Sequence, residues 1–164
     1  MTIFGKRLSE YVSFAKLFLI LIPLVAIIRF ALSPGSEPSP IGKWFSVTAA
    51  LWIALVYYAI KVHTSGFGSY KQLLPICVLA GLSAQAIIVP AIVLAIFTGN
   101  DNIYSIPENF FGRDGKTWLH VAGHLFIGGT TIGPLLSWLI GCVIMFVTKK
   151  VTAKGEGSNA AARA

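Results

Sequence analysis

Apolar residues in this chain form long uninterrupted runs, instead of the alternation of a strand or the stripe of a soluble helix. Four such runs are separated by short stretches that are rich in glycine, proline, serine and charged residues. Crossing a bilayer as a helix takes about 20 apolar residues, and runs of this kind are typical of such helices. The pattern predicts an all-α integral membrane four-helix bundle, with spans at residues 17–32, 44–62, 73–98 and 118–148.

Composition favours one membrane domain, which we place at residues 1–150. Of the 164 residues, 55% are hydrophobic and only 12% are charged, about half the charged share of an ordinary soluble domain. A chain of this length leaves no room for a folded soluble domain beside four spans. Residues 151–164 lack apolar content, which predicts a disordered cytoplasmic tail.

Basic residues give the orientation, because lysine and arginine concentrate on the cytoplasmic side of membrane proteins. Nine lie on the side of the termini and four on the other side. This distribution predicts a cell-membrane protein with both termini in the cytoplasm. The nine are Lys6, Arg7, Lys16, Lys61, Lys71, Lys149, Lys150, Lys154 and Arg163, and the four are Arg29, Lys43, Arg113 and Lys116.

The net charge of +7 does not indicate nucleic acid, because no basic patch is interleaved with aromatic residues as that binding needs. The basic residues instead flank hydrophobic spans, where they meet anionic headgroups. We therefore expect the lipid bilayer as the main partner. A homo-oligomer or a larger membrane complex is a further expectation.

Two histidines lie at the start of the last span. His120 and His124 are four residues apart, so they share one face of a helix, which is the spacing of a two-histidine metal site. The preceding loop offers Asp101, Glu108 and Asp114 as further ligands. Such a set of imidazoles and carboxylates suits zinc, iron or copper. The sequence thus gives a candidate transition-metal site at this end of the bundle.

The same two histidines have other interpretations, of which a structural role is favoured. Either ring can bond a loop carbonyl or another helix, or take part in proton or polar-substrate binding. Haem needs axial ligands on opposite sides of its ring, so His120 and His124 cannot both ligate one haem. His63 is predicted on the other membrane side, roughly 30 Å away. A two-histidine haem would therefore need a second subunit.

Small residues recur every four positions along the last span, at Gly129, Gly133, Ser137 and Gly141. Such a ridge lets another helix approach closely, and it favours one continuous helix. The alternative is that residues 128–134 (GGTTIGP) break the helix, as in transporters whose unwound segments bind substrate near mid-membrane.

Gln85 lies near the middle of the third span. A glutamine in this position needs a hydrogen-bond partner from another helix. Thr130, Thr131 and Ser137 are predicted at similar depth, and Gln85 with the two threonines forms a candidate polar pocket. A bond between helices is favoured over contact with a substrate.

No kinase, hydrolase, dinucleotide-binding or phosphate-loop motif is present, so the sequence favours a role without catalysis. The leading interpretation is a membrane or accessory subunit protein that packs through its last span. One alternative is a metal- or haem-binding redox protein that uses His120 and His124. The other is a small transporter or channel with a mid-membrane site at Gln85 and residues 128–134.

Overall fold

Helices account for nearly all of the regular structure in the described chain. The computed structural model describes residues 2–33, 35, 37, 39–106 and 114–161, with side chains described as far as residue 152. Two short strands, β1 (Thr2–Ile3) and β2 (Lys6–Arg7), precede the helices. The helices are α1 (Leu8–Ala31), α2 (Val47–Thr64), α3 (Tyr70–Thr98), α4 (Trp118–Gly123) and α5 (Ile132–Ala161). A 3-10 turn (Gly42–Trp44) precedes α2, and a π-helical segment (His124–Thr130) joins α4 to α5.

The predicted four-helix bundle is confirmed, with the α4–π–α5 stretch as its fourth member. All four are long and apolar enough to cross a membrane, over Leu8–Ala31, Gly42–Thr64, Tyr70–Thr98 and Trp118–Thr152. Large apolar side chains such as Leu136 remain exposed along their outer faces. In water such faces would be costly, whereas lipid solvates them. The chain thus has the build of a multi-pass membrane protein.

Helix α3 lies at the centre of the bundle and packs against α1, α2, α5 and the π segment. It is the most deeply buried span. Its buried positions recur at helical spacing and include Leu73, Ile76, Ala80, Ala84 and Ile88. Small residues in this series let neighbouring backbones approach closely. Such close packing matters in a membrane, because lipid offers no hydrophobic driving force for helices to associate.

Helix α1 begins at Leu8, earlier than the span predicted at residues 17–32. The backbone N–H of Arg7 donates to Glu10 Oε2 at 2.7 Å, which supplies a partner at the helix start where backbone N–H groups lack one. Tyr11 is fully buried in this first part and donates its hydroxyl to the Ile3 carbonyl at 2.9 Å. Local capping and packing therefore extend the helix beyond its apolar run.

Phe4 and Thr152 both lie at one end of the bundle, which we call the terminal end. There His63 Nε2 lies 3.4 Å from the Thr152 hydroxyl. Gln72 Nε2 donates to the Phe4 carbonyl at 2.9 Å. The opposite end, the loop end, holds the α1–α2 and α3–α4 connections.

The α3–α4 connection folds against the loop end of the bundle. Asn102 Nδ2 donates to the Ala91 carbonyl at 2.7 Å, and the Tyr104 hydroxyl donates to the Ala26 carbonyl at 2.8 Å. A Cβ added at Gly115 would lie 1.8 Å from the Ser105 carbonyl oxygen, so only glycine fits there. The connection is thereby fixed to α1 and α3.

The disordered tail expected at residues 151–164 stays a prediction. Helix α5 continues past Lys149 and Lys150 to Ala161, and residues 162–164 lie outside the described part. Extending an existing helix needs no new nucleation, and alanine, lysine and glutamate are strong helix formers.

We expect Tyr104 to ionise at a higher pH than an exposed tyrosine, because burial raises the pKa of its hydroxyl from 10.0 to about 12. The unfolded chain would ionise first, so folded stability should be full below pH 10.0 and fall as the pH rises towards about 12. The phenolate absorbance of the wild type minus that of Tyr104→Phe isolates this group. A difference spectrum that titrates at the ordinary tyrosine pKa would contradict the prediction.

Candidate functional site

The last span is interrupted in its middle. The π segment ends at Thr130. The next residue, Thr131, has a φ of −121° and a ψ of −90°, which belong to no helix, and α5 starts anew at Ile132. Pro134 contributes to the interruption, because it has no N–H to give the Thr130 carbonyl and its ring clashes with that carbonyl in a regular helix. It does not act alone, since Pro23 and Pro90 lie inside the continuous helices α1 and α3. The continuous helix favoured by the sequence is therefore replaced by its alternative, a break within residues 128–134.

Glycines permit the tight geometry of this break. A Cβ at Gly133 would lie 2.8 Å from the Gly128 carbonyl oxygen, and one at Gly81 on α3 would lie 2.9 Å from the Gly129 carbonyl oxygen. The lack of a side chain at Gly133 thus lets the start of α5 lie close to the carbonyl groups of the π segment. Gly81 lets α3 approach the segment's carbonyl groups.

The two threonines of the break bond to their own segment. Thr130 Oγ1 donates to the Leu125 carbonyl at 3.1 Å, and Thr131 Oγ1 donates to the Phe126 carbonyl. The Thr131 backbone N–H reaches the same Phe126 carbonyl at 2.9 Å. These bonds satisfy carbonyls near a break where α-helical pairing is lost. The hydroxyls of Thr130 and Thr131 therefore do not bond Gln85, although the sequence analysis grouped the three residues in one candidate polar pocket.

Gln85 instead takes His124 as its partner. His124 Nδ1 lies 3.1 Å from Gln85 Oε1, and since an amide oxygen only accepts, the proton is on Nδ1. Gln85 is buried and its amide nitrogen lies beside Gly128, where a Cβ would come within 3.0 Å. This bond attaches the π segment to the central helix.

His120 is fully buried next to His124. Its Nδ1 donates to the Gly115 carbonyl, 2.7 Å away. The two imidazole rings have centroids 4.8 Å apart and planes inclined by 46°, so they lie on one face as their spacing predicted. His120 thus connects the α3–α4 connection to α4, while His124 connects the π segment to α3.

The carboxylates proposed as metal ligands are engaged with Lys116. Its Nζ lies 3.3 Å from Asp101 Oδ1, and its backbone N–H donates to Asp114 Oδ1 at 2.9 Å. Glu108 lies outside the described residues. Within the described ranges, no three histidine, cysteine, aspartate or glutamate residues are grouped so that they could hold a metal ion. A metal or haem role for His120 and His124 stays a prediction.

The small-residue ridge faces the inside of the chain's own bundle. A Cβ at Gly141 would lie 2.7 Å from Leu73 Cδ2 and 2.9 Å from Leu55 Cδ1, and one at Gly129 would lie 3.0 Å from Gln85 Cγ. These positions bring α5 and the π segment against α2 and α3. In the structure these small residues lie at helix contacts within one chain.

A cavity of about 90 Å³ lies where α2, α3, α5 and the π segment meet. We call it the central cavity. Its walls are uncharged and include Ala54 and Tyr58 of α2, Ala80 and Gly81 of α3, and Gly128, Gly133, Pro134 and Ser137 of the last span. The break therefore forms one wall of a chamber within the membrane-spanning part.

Two hydroxyls on the cavity wall differ in their bonding. Tyr58 donates to the Ala15 carbonyl at 2.6 Å and accepts from the Phe18 N–H at 3.3 Å. Ser137 makes no hydrogen bond with any residue in the described ranges. Its hydroxyl is thus able to bond a molecule in the cavity.

The sequence did not single out the α2 and α3 walls. Ala54, Ala80 and Gly81 are ordinary residues of a membrane helix. A cavity depends on which residues meet across helices, and spacing within one helix does not give that.

Comparison of the chain with family models, with curated proteins and with solved structures finds no match. The site must therefore be interpreted from its own geometry.

We expect Gln85 and His124 to be energetically coupled. Gln85→Leu and His124→Leu should each cost about 1–3 kcal/mol, because each leaves a buried polar group without its partner. The double variant should cost less than the sum of the two. Unfolding in mixed detergent micelles gives the free energies for this cycle. Ser83→Ala is the control, since the Ser83 hydroxyl bonds its own helix at the Ala80 carbonyl. If the free-energy costs of Gln85→Leu and His124→Leu simply add in the double variant, the two residues are not coupled.

Gly81→Ala should destabilise the protein by about 1–3 kcal/mol, because the added methyl group meets a backbone carbonyl that cannot move aside cheaply. Ala86→Val adds methyl groups to an exposed position of the same helix and should cost much less. Thermal unfolding in detergent, followed by circular dichroism, compares the two. Equal effects would mean that α3 and the π segment do not pack tightly.

Proposed function

We propose that this protein is a passive carrier of a small uncharged solute, with its binding site in the central cavity. The observation that carries this proposal is that a broken membrane helix forms one wall of the cavity. Broken helices at mid-membrane are a recurring way to build transport sites, since irregular backbone there is tolerated where it lines a cavity. This proposal takes up the transporter alternative of the sequence analysis.

The chemistry of the walls favours an uncharged solute. None of the cavity-lining residues is acidic, basic or histidine, and burying an unpaired charge in such surroundings is very costly. The Ser137 hydroxyl offers one hydrogen bond. A neutral molecule with a hydroxyl or amide group therefore fits best, and its movement would need no coupled ion.

The size of the cavity limits the solute to a few heavy atoms. A volume of about 90 Å³ leaves room for a molecule of a few heavy atoms only, since a cavity of about 150 Å³ holds benzene. Short polyols, short amides and urea are solutes of this size. Larger substrates would require the bundle to open.

The break supplies a place where the bundle can move. Residues that change backbone angles in hinge motions are few and lie at the ends of elements. Thr131 lies between the π segment and α5, with glycines close on both sides. The Gln85–His124 bond holds the π segment to α3, so bending at Thr131 would move α5 relative to a fixed half.

The accessory-subunit interpretation relied on the small-residue ridge, and this ridge packs inside the chain; we therefore propose the carrier first. The orientation stays part of the proposal: basic residues concentrate at the terminal end, which favours a cell-membrane protein with both termini in the cytoplasm.

Solute flux into liposomes tests the proposal. Vesicles containing the purified protein should shrink and then reswell in hyperosmotic urea or glycerol faster than empty vesicles, followed by light scattering. Ala80→Leu fills the cavity and should abolish the added flux. Ala86→Leu makes the same change on the same helix at an exposed position, and should retain it.

Ser137→Ala keeps the shape of the cavity but removes its available hydroxyl. It should slow the flux of solutes that hydrogen-bond. If wild-type vesicles reswell no faster than empty ones for any small neutral solute, or if Ala80→Leu has no effect, the proposed function is wrong.

A further inference from the structure

An apolar groove opens on the outer surface of the bundle between the start of α3 and the second half of its last span. Tyr70 belongs to one wall, and α5 forms the other with Trp138, Cys142, Val143 and Phe146. It encloses about 450 Å³, and none of its lining side chains is charged. Val143 and Phe146 are exposed, so the groove faces the surroundings of the bundle. We call it the α3–α5 groove.

The two walls of this groove are held together by direct contacts. The indole Nε1 of Trp138 donates to the Tyr70 carbonyl at 2.7 Å. Gly141, next to Cys142, has no side chain, and a Cβ there would lie 2.7 Å from Leu73 Cδ2 on α3. The two helices are therefore close beside the groove, and its shape is preformed.

Two lysines lie over aromatic rings that line the groove. Lys149 Nζ is 4.1 Å from the centroid of the Tyr70 ring. Lys150 Nζ is 4.8 Å from the centroid of the Phe146 ring. The helical register agrees with these contacts, because Lys150 follows Phe146 by four residues and so lies on the same face of α5. Positive charge is thus placed beside the groove, on the side of the terminal end.

No carboxylate neutralises these lysines within the described ranges, where the ion pairs join Lys6 to Glu10 and Lys116 to Asp101. An ammonium group carries three N–H donors, and a ring face beneath it accepts none of them as a carboxylate would. The two ammonium groups can therefore donate to an anion.

We propose that the α3–α5 groove binds an anionic phospholipid, with one acyl chain along the groove and the phosphate held by Lys149 and Lys150. Both helices are long and apolar enough to cross a membrane, so hydrocarbon would surround the groove. Eight residues separate Trp138 from Phe146, a rise of about 12 Å along α5. This is close to the depth of one leaflet, half of a core of about 30 Å. The lysines follow within the next helical turn, where the headgroup of such a lipid would be.

Charge favours this occupant over others. The uncharged groove would accept the acyl chain of any phospholipid, and basic residues near the headgroups favour anionic lipids. A second copy of the chain, oriented in the membrane as the first, would bring its own basic terminal end to the same surface. Like charges brought together oppose association, whereas a phosphate neutralises Lys149 and Lys150. This proposal does not depend on the central cavity or on solute transport.

Native mass spectrometry of the full chain, titrated with phosphatidylglycerol or phosphatidylcholine in detergent, tests the proposal. One phosphatidylglycerol should bind roughly tenfold or more tightly than phosphatidylcholine, since each basic residue near the headgroup strengthens anionic-lipid binding by about fivefold. The Lys149→Gln/Lys150→Gln variant should lose this preference. Arg7→Gln/Lys61→Gln removes the same charge at the same end and should keep it. Lys61 is a matched control, because it also lies over aromatic rings, which do not line this groove.

Val143→Phe narrows the groove without changing any charge. It should weaken binding of both lipids, which distinguishes a seated acyl chain from attraction to the headgroup alone. Val12→Phe makes the same change at an exposed position of α1 and should leave binding unchanged. Circular dichroism of each variant checks that it is folded.

Three results would overturn the proposal. One is equal affinity of the wild type for the two lipids. Another is a preference that survives in Lys149→Gln/Lys150→Gln, or that Arg7→Gln/Lys61→Gln loses to the same extent. The third is a lipid-free dimer in the same spectra that Val143→Phe dissociates, which would assign the groove to a second copy of the chain.

Discussion

The proline at position 134 is the constraint on which the rest of the structure depends. Inside a membrane no water is present to bond a backbone group, so each unsatisfied carbonyl or N–H costs several kcal/mol. Pro134 cannot donate to the Thr130 carbonyl, and the chain responds with a wider π turn and with threonine side chains that bond nearby carbonyls. The shape of the last span follows from satisfying those groups.

Helix α3 is complementary to the irregular stretch that Pro134 creates. Where the π segment presents carbonyl groups, α3 has Gly81, and where the segment presents the His124 ring, α3 has Gln85. A regular helix in place of the π segment would need neither a glycine at position 81 nor a glutamine at position 85 of α3. The chamber beside the break exists because the two surfaces meet closely at Gly81 and diverge beside it, towards α2 and α5.

The sequence predicts the features that depend on local pattern. Four apolar runs predict four helices, and the four-residue spacing of His120 and His124 places their rings together. The sequence alone does not decide whether the last span is broken. Its small residues favour a packing ridge on a continuous helix, whereas Pro134 favours an interruption; the small residues are Gly129, Gly133, Ser137 and Gly141. In the structure both statements hold, since the glycines pack inward on either side of the interruption.

What the sequence does not give is the choice of partner across helices. Gln85 had several polar residues predicted at its depth, and spacing within one helix cannot rank them. The threonines of the break were unavailable because their hydroxyls satisfy their own segment. Likewise, Asp101 and Asp114 are bonded to Lys116, which depends on how the α3–α4 connection folds.

The bond between Gln85 and His124 has a consequence for the order in which the bundle assembles. A ribosome makes the amino-terminal part first, so Gln85 enters the membrane within α3 before His124, which lies 39 positions later, can reach it. Until then the amide of Gln85 lacks this partner. Docking of the last span supplies this partner. The completed chain is therefore stabilised by a polar contact that a truncated chain of three spans cannot make.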